Sequence, residues 1–76
     1  MTKQTHLVEL GSRIREYRQK LGLSQEDLAD MCSLHRTYIG GIERGERNVA
    51  FENLLIISGS LQIDIGVLVS GISIQD

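Results

Sequence analysis

The 76-residue sequence predicts an all-α domain of five short helices. Three observations predict it. Apolar residues recur at spacings of three and four rather than two, N-capping residues and glycines punctuate the ends of those runs, and proline is absent. Residues 1–76 contain no linker, repeat or low-complexity segment and read as one domain. A single cysteine and no histidine–cysteine cluster leave neither a disulfide nor a metal to supplement so small a core, so the added stability should come from oligomerisation.

Each helix has its own warrant. Leu7, Leu10, Ile14, Tyr17 and Leu21 fall on one face of a first helix, and Gly22 is placed to end it. Ser24 followed by Asp27 reads as an N-cap with a first-turn acid, opening a short second helix to about Cys32 with Leu28, Ala29 and Cys32 inward. After a tight connection at Ser33 and Leu34, a third helix over about 36–44 buries Ile39 and Ile42 and stops at Gly45. A fourth covers 51–60 and a fifth 65–69, with Asp64 as the N-cap of the fifth. Loosely alternating β-branched residues between Ile63 and Ile74 make a short C-terminal strand the weaker alternative.

Composition narrows the function. Residues 1–10 carry no long apolar run and do not read as a signal peptide. The densest apolar stretches, 54–57 and 65–69, fall far short of the roughly 20 residues a membrane-spanning helix needs, so a soluble, cytoplasmic chain without a membrane partner is expected. The net charge of −2 opposes nucleic acid when read as one number, because phosphate neutralisation supplies much of DNA affinity. Its distribution reads differently. All eight bases lie in residues 1–47 against seven acids, net +1, whereas residues 48–76 hold Glu52, Asp64 and Asp76 with no base, net −3. Such a chain can turn its front to DNA and keep its acidic rear away.

Chemistry concentrates in residues 24–47. Helices 2 and 3, joined tightly, make a helix-turn-helix arrangement that presents the N-terminus of helix 3 to the DNA major groove. Ser24 and Gln25 sit where helix 2 points its backbone N–H groups outward, which suits a DNA phosphate, and His35 can meet another phosphate at the start of helix 3. Arg36, Thr37 and Tyr38 fill the first turn of helix 3, nearest the base edges. Arg36 can fork onto a guanine, the Thr37 methyl can touch a thymine methyl, and Tyr38 suits either base or phosphate.

Other charged residues read as structural. Arg44 lies between Glu43 and Glu46 at a helix C-terminus, where a cation is favourable without a ligand. Arg13, Arg15 and Lys20 read as the solvated face of helix 1. Glu43, at the edge of the packed face, reads as a paired carboxylate, and Cys32 as a small core residue. His6 and His35 lack an acid or nucleophile at a useful spacing. No catalytic residue, metal or cofactor is expected, and the chain does not read as an enzyme.

The spaced pattern of residues 24–47 resembles the Xre family of helix-turn-helix regulators, which includes phage repressors and Cro proteins, over roughly residues 10–69. Within it, the run from Leu34 to Asn48 is similar to the controller proteins of type II restriction–modification systems, small dimeric regulators of the restriction gene and of their own gene. A phage-type repressor and an antitoxin-like protein-binding module are the alternatives. The resemblance implies that Gln25 anchors a phosphate, that Arg36, Thr37 and Tyr38 face the groove, and that Arg47 and Asn48 grip the backbone beyond helix 3. It also implies an ion pair between Arg18 and Glu43, and a homodimer on a near-palindromic operator. Gene activation would further need a surface touching RNA polymerase, and no residue identifies one.

The sequence departs from that pattern at two positions. Gly40 replaces the serine usual in controllers, and Gly41 stands where many phage repressors place a base-contacting side chain. Two adjacent glycines cost a helix interior up to about 2 kcal/mol relative to alanine. Close approach of the backbone to DNA, or reliance on DNA shape, is expected in return.

The C-terminal third should supply the dimer. Of residues 49–76, 15 of 28 are apolar, more than a domain this small can cover. Leu54, Ile57, Leu61, Ile65 and Leu68 sit at core spacing, which leaves Leu55, Ile56, Val67 and Val69 for an interface. The competing expectation is that these four pack on the tail residues Ile72 and Ile74 within one subunit.

Overall fold

The computed structural model describes residues 4–74, so Lys3 and Asp76, both counted in the charge division, lie outside the described residues. Five α-helices follow in order: α1 (Thr5–Lys20), α2 (Gln25–Cys32), α3 (Arg36–Glu43), α4 (Phe51–Ser60) and α5 (Ile65–Leu68). No strand occurs among the described residues, which rules out the C-terminal strand between Ile63 and Ile74. The longest helix, α1, packs on α3 and α5; α2 packs on α3 and α4, and α4 on α5. Every helix contributes to one core, in which Ile14, Leu28, Ile39, Ile42, Ile57 and Leu68 are fully buried.

Local sequence accounts for where the helices stop. Four of them end in the same reversal, with a residue in left-handed backbone just past the last turn. Gly22 (φ 73°) and Gly45 (φ 74°) provide it after α1 and α3, whereas Ser33 (φ 55°) and Gln62 (φ 60°) provide it after α2 and α4. The paired hydrogen bonds are the same each time, as in Leu23 N–H to the Arg18 carbonyl (3.1 Å) and Glu46 N–H to the Gly41 carbonyl (2.9 Å). Serine and glutamine carry a Cβ into this region at a cost of roughly 1–2 kcal/mol each. Tertiary packing therefore dictates those two turns.

Glycine permits a close helix contact. A Cβ on Gly11 would overlap the backbone carbonyl oxygens of Ile42 and Glu43, so α1 lies directly against the end of α3 only because residue 11 has no side chain. Gly45 is buried beneath α1 in the same way, against the backbone of Val8.

That approach brings together the one buried ion pair among the described residues. Arg18 donates from Nε to Glu43 Oε2 (2.7 Å) and from Nη2 to Oε1 (3.0 Å), and its Nη1 donates to the Leu23 carbonyl (2.8 Å). Both residues are 8% exposed. The fork to Glu43 holds the Arg18 guanidinium above its ordinary pKa, against the opposing effect of burial. Gln25 completes the set, donating from Nε2 to Glu43 Oε1 (3.1 Å). One carboxylate thus ties the starts of α2 and the ends of α1 and α3.

Three expectations are corrected. Arg13 does not simply solvate α1: its Nη1 donates to the carbonyls of Leu68 (3.1 Å) and Ser70 (2.6 Å) and its Nε to Glu9 (3.0 Å), closing the C-terminal end of α5. Leu21, assigned to the packed face of α1, is 42% exposed because it falls in the terminating turn. Val69 is half-buried and packs against the core with Ile72, so it does not belong to an outward-facing patch.

Replacing Glu43 with alanine leaves the buried Arg18 charge unpaired and should cost about 3–5 kcal/mol, a large share of the stability of a domain this size. The double variant Arg18→Met/Glu43→Leu, which removes both charges, should recover much of that loss. Urea midpoints of the two variants check this; equal losses in both would show that the ion pair is not the source.

Candidate nucleic-acid interface

Helix α2 starts with a reciprocal cap. Ser24 Oγ accepts from Asp27 N–H (2.9 Å), and Asp27 Oδ2 accepts from Ser24 N–H (2.9 Å). The backbone N–H of Ser24, and then its side chain, hold the Asp27 carboxyl below its ordinary pKa. This cap fixes the end of α2 from which Gln25 extends. Gln25 is half-buried, and its amide nitrogen is engaged by Glu43, so only the rest of the side chain is left for an outside partner.

After the connection through Ser33 and Leu34, α3 opens at His35, an exposed residue whose side chain makes no cap hydrogen bond. Arg36 and Thr37 are exposed on its first turn. Tyr38 differs. It is half-buried against the core, and its hydroxyl accepts from Asn53 Nδ2 of α4 (3.3 Å). Sequence reasoning missed Asn53; the available signal was a polar residue one turn before the core residue Ile57 on the same helix face. Between α2 and α3 runs an open groove of about 320 Å³ lined by Glu26, Ala29, Asp30, Leu34, His35, Arg36 and Thr37. Its α2 wall carries two carboxylates, Glu26 and Asp30, which repel phosphate, whereas its α3 wall carries Arg36.

Past α3 the chain reverses at Gly45 and brings Arg47 back beside the helix. Arg47 and Asn48 are both exposed. Arg44 pairs with Glu46 (3.0 Å) in the same turn. The spaces above Gly40 and Gly41, one of whose two expected uses was close approach of DNA, are taken by protein side chains: Arg44 and Gln25 beside Gly40, and Arg47 over Gly41.

A capped helix pair packed on a common core, with the first turn of its second helix and Arg36 held outward, is the arrangement of a helix-turn-helix DNA-binding protein. The helix-turn-helix family model matches residues 14–68. The control protein C.SmaI of Serratia marcescens is 44% identical over 61 residues, covering 80% of this chain and 73% of its own. The crystal structure of the restriction–modification controller protein C.AhdI from Aeromonas hydrophila superposes with a TM-score of 0.80 at 48% identity, covering 82% of this chain and 94% of that one. The restriction–modification controller C.Esp1396I, solved as a tetramer with its natural 35-base-pair operator, matches with a TM-score of 0.80 at 36% identity over 87% of each chain. The chain belongs to the Xre-type helix-turn-helix regulators, among the restriction–modification controller proteins.

Removing the cap with Ser24→Ala should lower stability by about 1 kcal/mol. Because the folded pKa of Asp27 is depressed, its contribution is complete above the ordinary carboxylate value and is lost as pH falls through the lowered one. Thermal midpoints followed from neutrality into acid should therefore decline less steeply in Asp27→Asn, which has no carboxyl to titrate, than in the natural sequence, whereas Ser24→Ala, which keeps the backbone donor, should retain most of the pH dependence.

Proposed function

We propose that the chain is a cytoplasmic homodimeric controller that binds a near-palindromic DNA operator and regulates its own gene and a restriction gene. The observation that carries this is the outward first turn of α3, held by the buried Arg18–Glu43–Gln25 set. Arg36 and Thr37 read base edges there. Tyr38, tethered to Asn53, contributes at a fixed angle, while Ser24, Gln25, His35, Arg47 and Asn48 position the protein on phosphates. The chain acts by binding rather than by catalysis and needs no cofactor. Residues 1–76 work as one domain, with dimerisation supplied by the C-terminal third. No helix among the described residues is long and apolar enough to cross a membrane.

The dimer surface is the outer side of α4 and α5. Phe51 (69% exposed), Leu55, Ile56 and Val67 (55%) remain open to solvent, although Leu54 and Ile57 of the same helix turn inward. A helix apolar on more than one face is ordinarily covered on each. Phe51 was missing from the sequence-based set, although it lies one turn before Leu55 on the same stripe. A two-fold pairing there would set two α3 helices about one DNA turn, roughly 34 Å, apart.

Arg36→Ala should reduce discrimination between a near-palindromic site, selected from a random duplex library, and its scrambled version by about 1–3 kcal/mol for each base pair that Arg36 reads. The dimer should stay intact in sedimentation. Preserved preference for the selected site would overturn the assignment. Phe51→Lys combined with Leu55→Lys should instead yield a folded monomer with weakened operator binding, and a dimer of unchanged size would relocate the interface.

A further inference from the structure

Gly41 is buried although α3 faces solvent, and what covers it is Arg47. A Cβ at residue 41 would stand 2.7 Å from Arg47 Cγ, 3.3 Å from its Nε and 3.5 Å from its Cδ, so the arginine stem lies along the bare helix backbone. The left-handed turn at Gly45 and the hydrogen bond from Glu46 N–H to the Gly41 carbonyl (2.9 Å) fold the chain back to place it there. On the helix surface Gly41 lies one turn beyond Thr37, and Gly40 one turn beyond Arg36. Arg47, from outside the helix, therefore occupies the stripe that Thr37 begins.

We propose that Gly41 is a positioning residue for DNA binding: its missing side chain is the seat that holds Arg47 against α3, with the guanidinium set toward a DNA phosphate. The inference rests on the phosphate role of Arg47 proposed above. It replaces close approach of DNA to the glycine backbone, since the space over residue 41 is already filled by protein. A free arginine loses several rotors on binding, whereas a stem lying on the helix has fewer to lose. The glycine costs helix propensity and in return orders the charge.

The test uses the full chain and a random-sequence duplex of about 30 base pairs, roughly three helical turns, because a phosphate contact is indifferent to sequence. Binding is measured across a potassium chloride series for the natural sequence, Gly41→Ala, Arg47→Ala and the double variant, well below each thermal midpoint. Arg47→Ala should lower the salt slope by about 0.9 per protomer. Gly41→Ala should weaken binding in the same direction, by about tenfold at moderate salt, while its thermal midpoint holds or rises, because alanine favours the helix. The double variant should bind no worse than Arg47→Ala alone. Wild-type binding by Gly41→Ala, with Arg47→Ala impaired, overturns the seat and leaves the phosphate role standing. An unchanged slope in Arg47→Ala overturns both. A further loss in the double variant assigns the effect to the added methyl meeting DNA and overturns the seat, as does a loss of folding in Gly41→Ala that Arg47→Ala fails to restore.

Discussion

The geometry of this protein depends on one carboxylate. Glu43 accepts from Arg18 on α1 and from Gln25 on α2 while itself ending α3, so the angle between the two motif helices and their seat on α1 are set at a single point. Set against an apolar replacement, a buried ion pair contributes little net stability, since desolvation offsets most of the attraction. What it does supply is direction. The planar guanidinium fork accepts its carboxylate in a narrow range of orientations, which apolar packing of isoleucine and leucine does not impose. A helix pair that must present the same few side chains to successive base pairs benefits from that constraint more than from added burial.

Two glycines make the ion pair reachable. Gly11 lets α1 rest on the carbonyls at the end of α3, and Gly45 lets the chain leave α3 beneath α1. With any side chain at either position, Arg18 and Glu43 would be held further apart, beyond their hydrogen bonds of 2.7 and 3.0 Å. Backbone proximity is thus the precondition, and the electrostatics follow from it.

Much of this was legible in the sequence because helix ends carry local chemistry. Ser24 with Asp27, Asp64, Gly22 and Gly45 mark boundaries within a residue of those found, since a cap or a left-handed glycine acts over one turn of chain. The long-range partners were less legible. Arg18 and Glu43 came from family resemblance rather than spacing. Arg13 looked like a surface charge because its acceptors, the carbonyls of Leu68 and Ser70, lie 55 and 57 residues away and carry no side-chain signature. Val69 was placed outward by spacing within α5, yet that helix ends at Leu68, and the pattern that fixed its orientation stops with it. Gly40 and Gly41 left close approach of DNA and reliance on DNA shape both open, because a sequence does not show that Arg44 and Gln25 lie beside Gly40 or that Arg47, six residues on, returns over Gly41.

The negative net charge is resolved by the same structure. Its sum counts every arginine equally, but the fold uses them unequally. Arg18 is neutralised by Glu43, Arg13 is spent on Glu9 and two carbonyls, Arg44 pairs with Glu46, and Lys20 rests over the Tyr17 ring at 5.1 Å. Among the described residues, Arg15, Lys20, Arg36 and Arg47 make no ion pair; Arg15 and Lys20 lie on α1, whereas Arg36 and Arg47 flank α3 at its start and beyond its end. Acids that pair with structural cations cancel charge that was never available to a ligand; of the others, Glu52 of α4 and the N-cap Asp64 lie in the C-terminal third, whereas Glu16 lies on α1 and Glu26, Asp27 and Asp30 on α2, so the positive edge is confined to the α3 side of the groove. At a physiological ionic strength, where fields decay over about 8 Å, affinity for phosphate follows the charges within that distance of the duplex rather than the total. A protein of net charge −2 can therefore present a positive edge to DNA, provided that its internal ion pairs are made before DNA arrives.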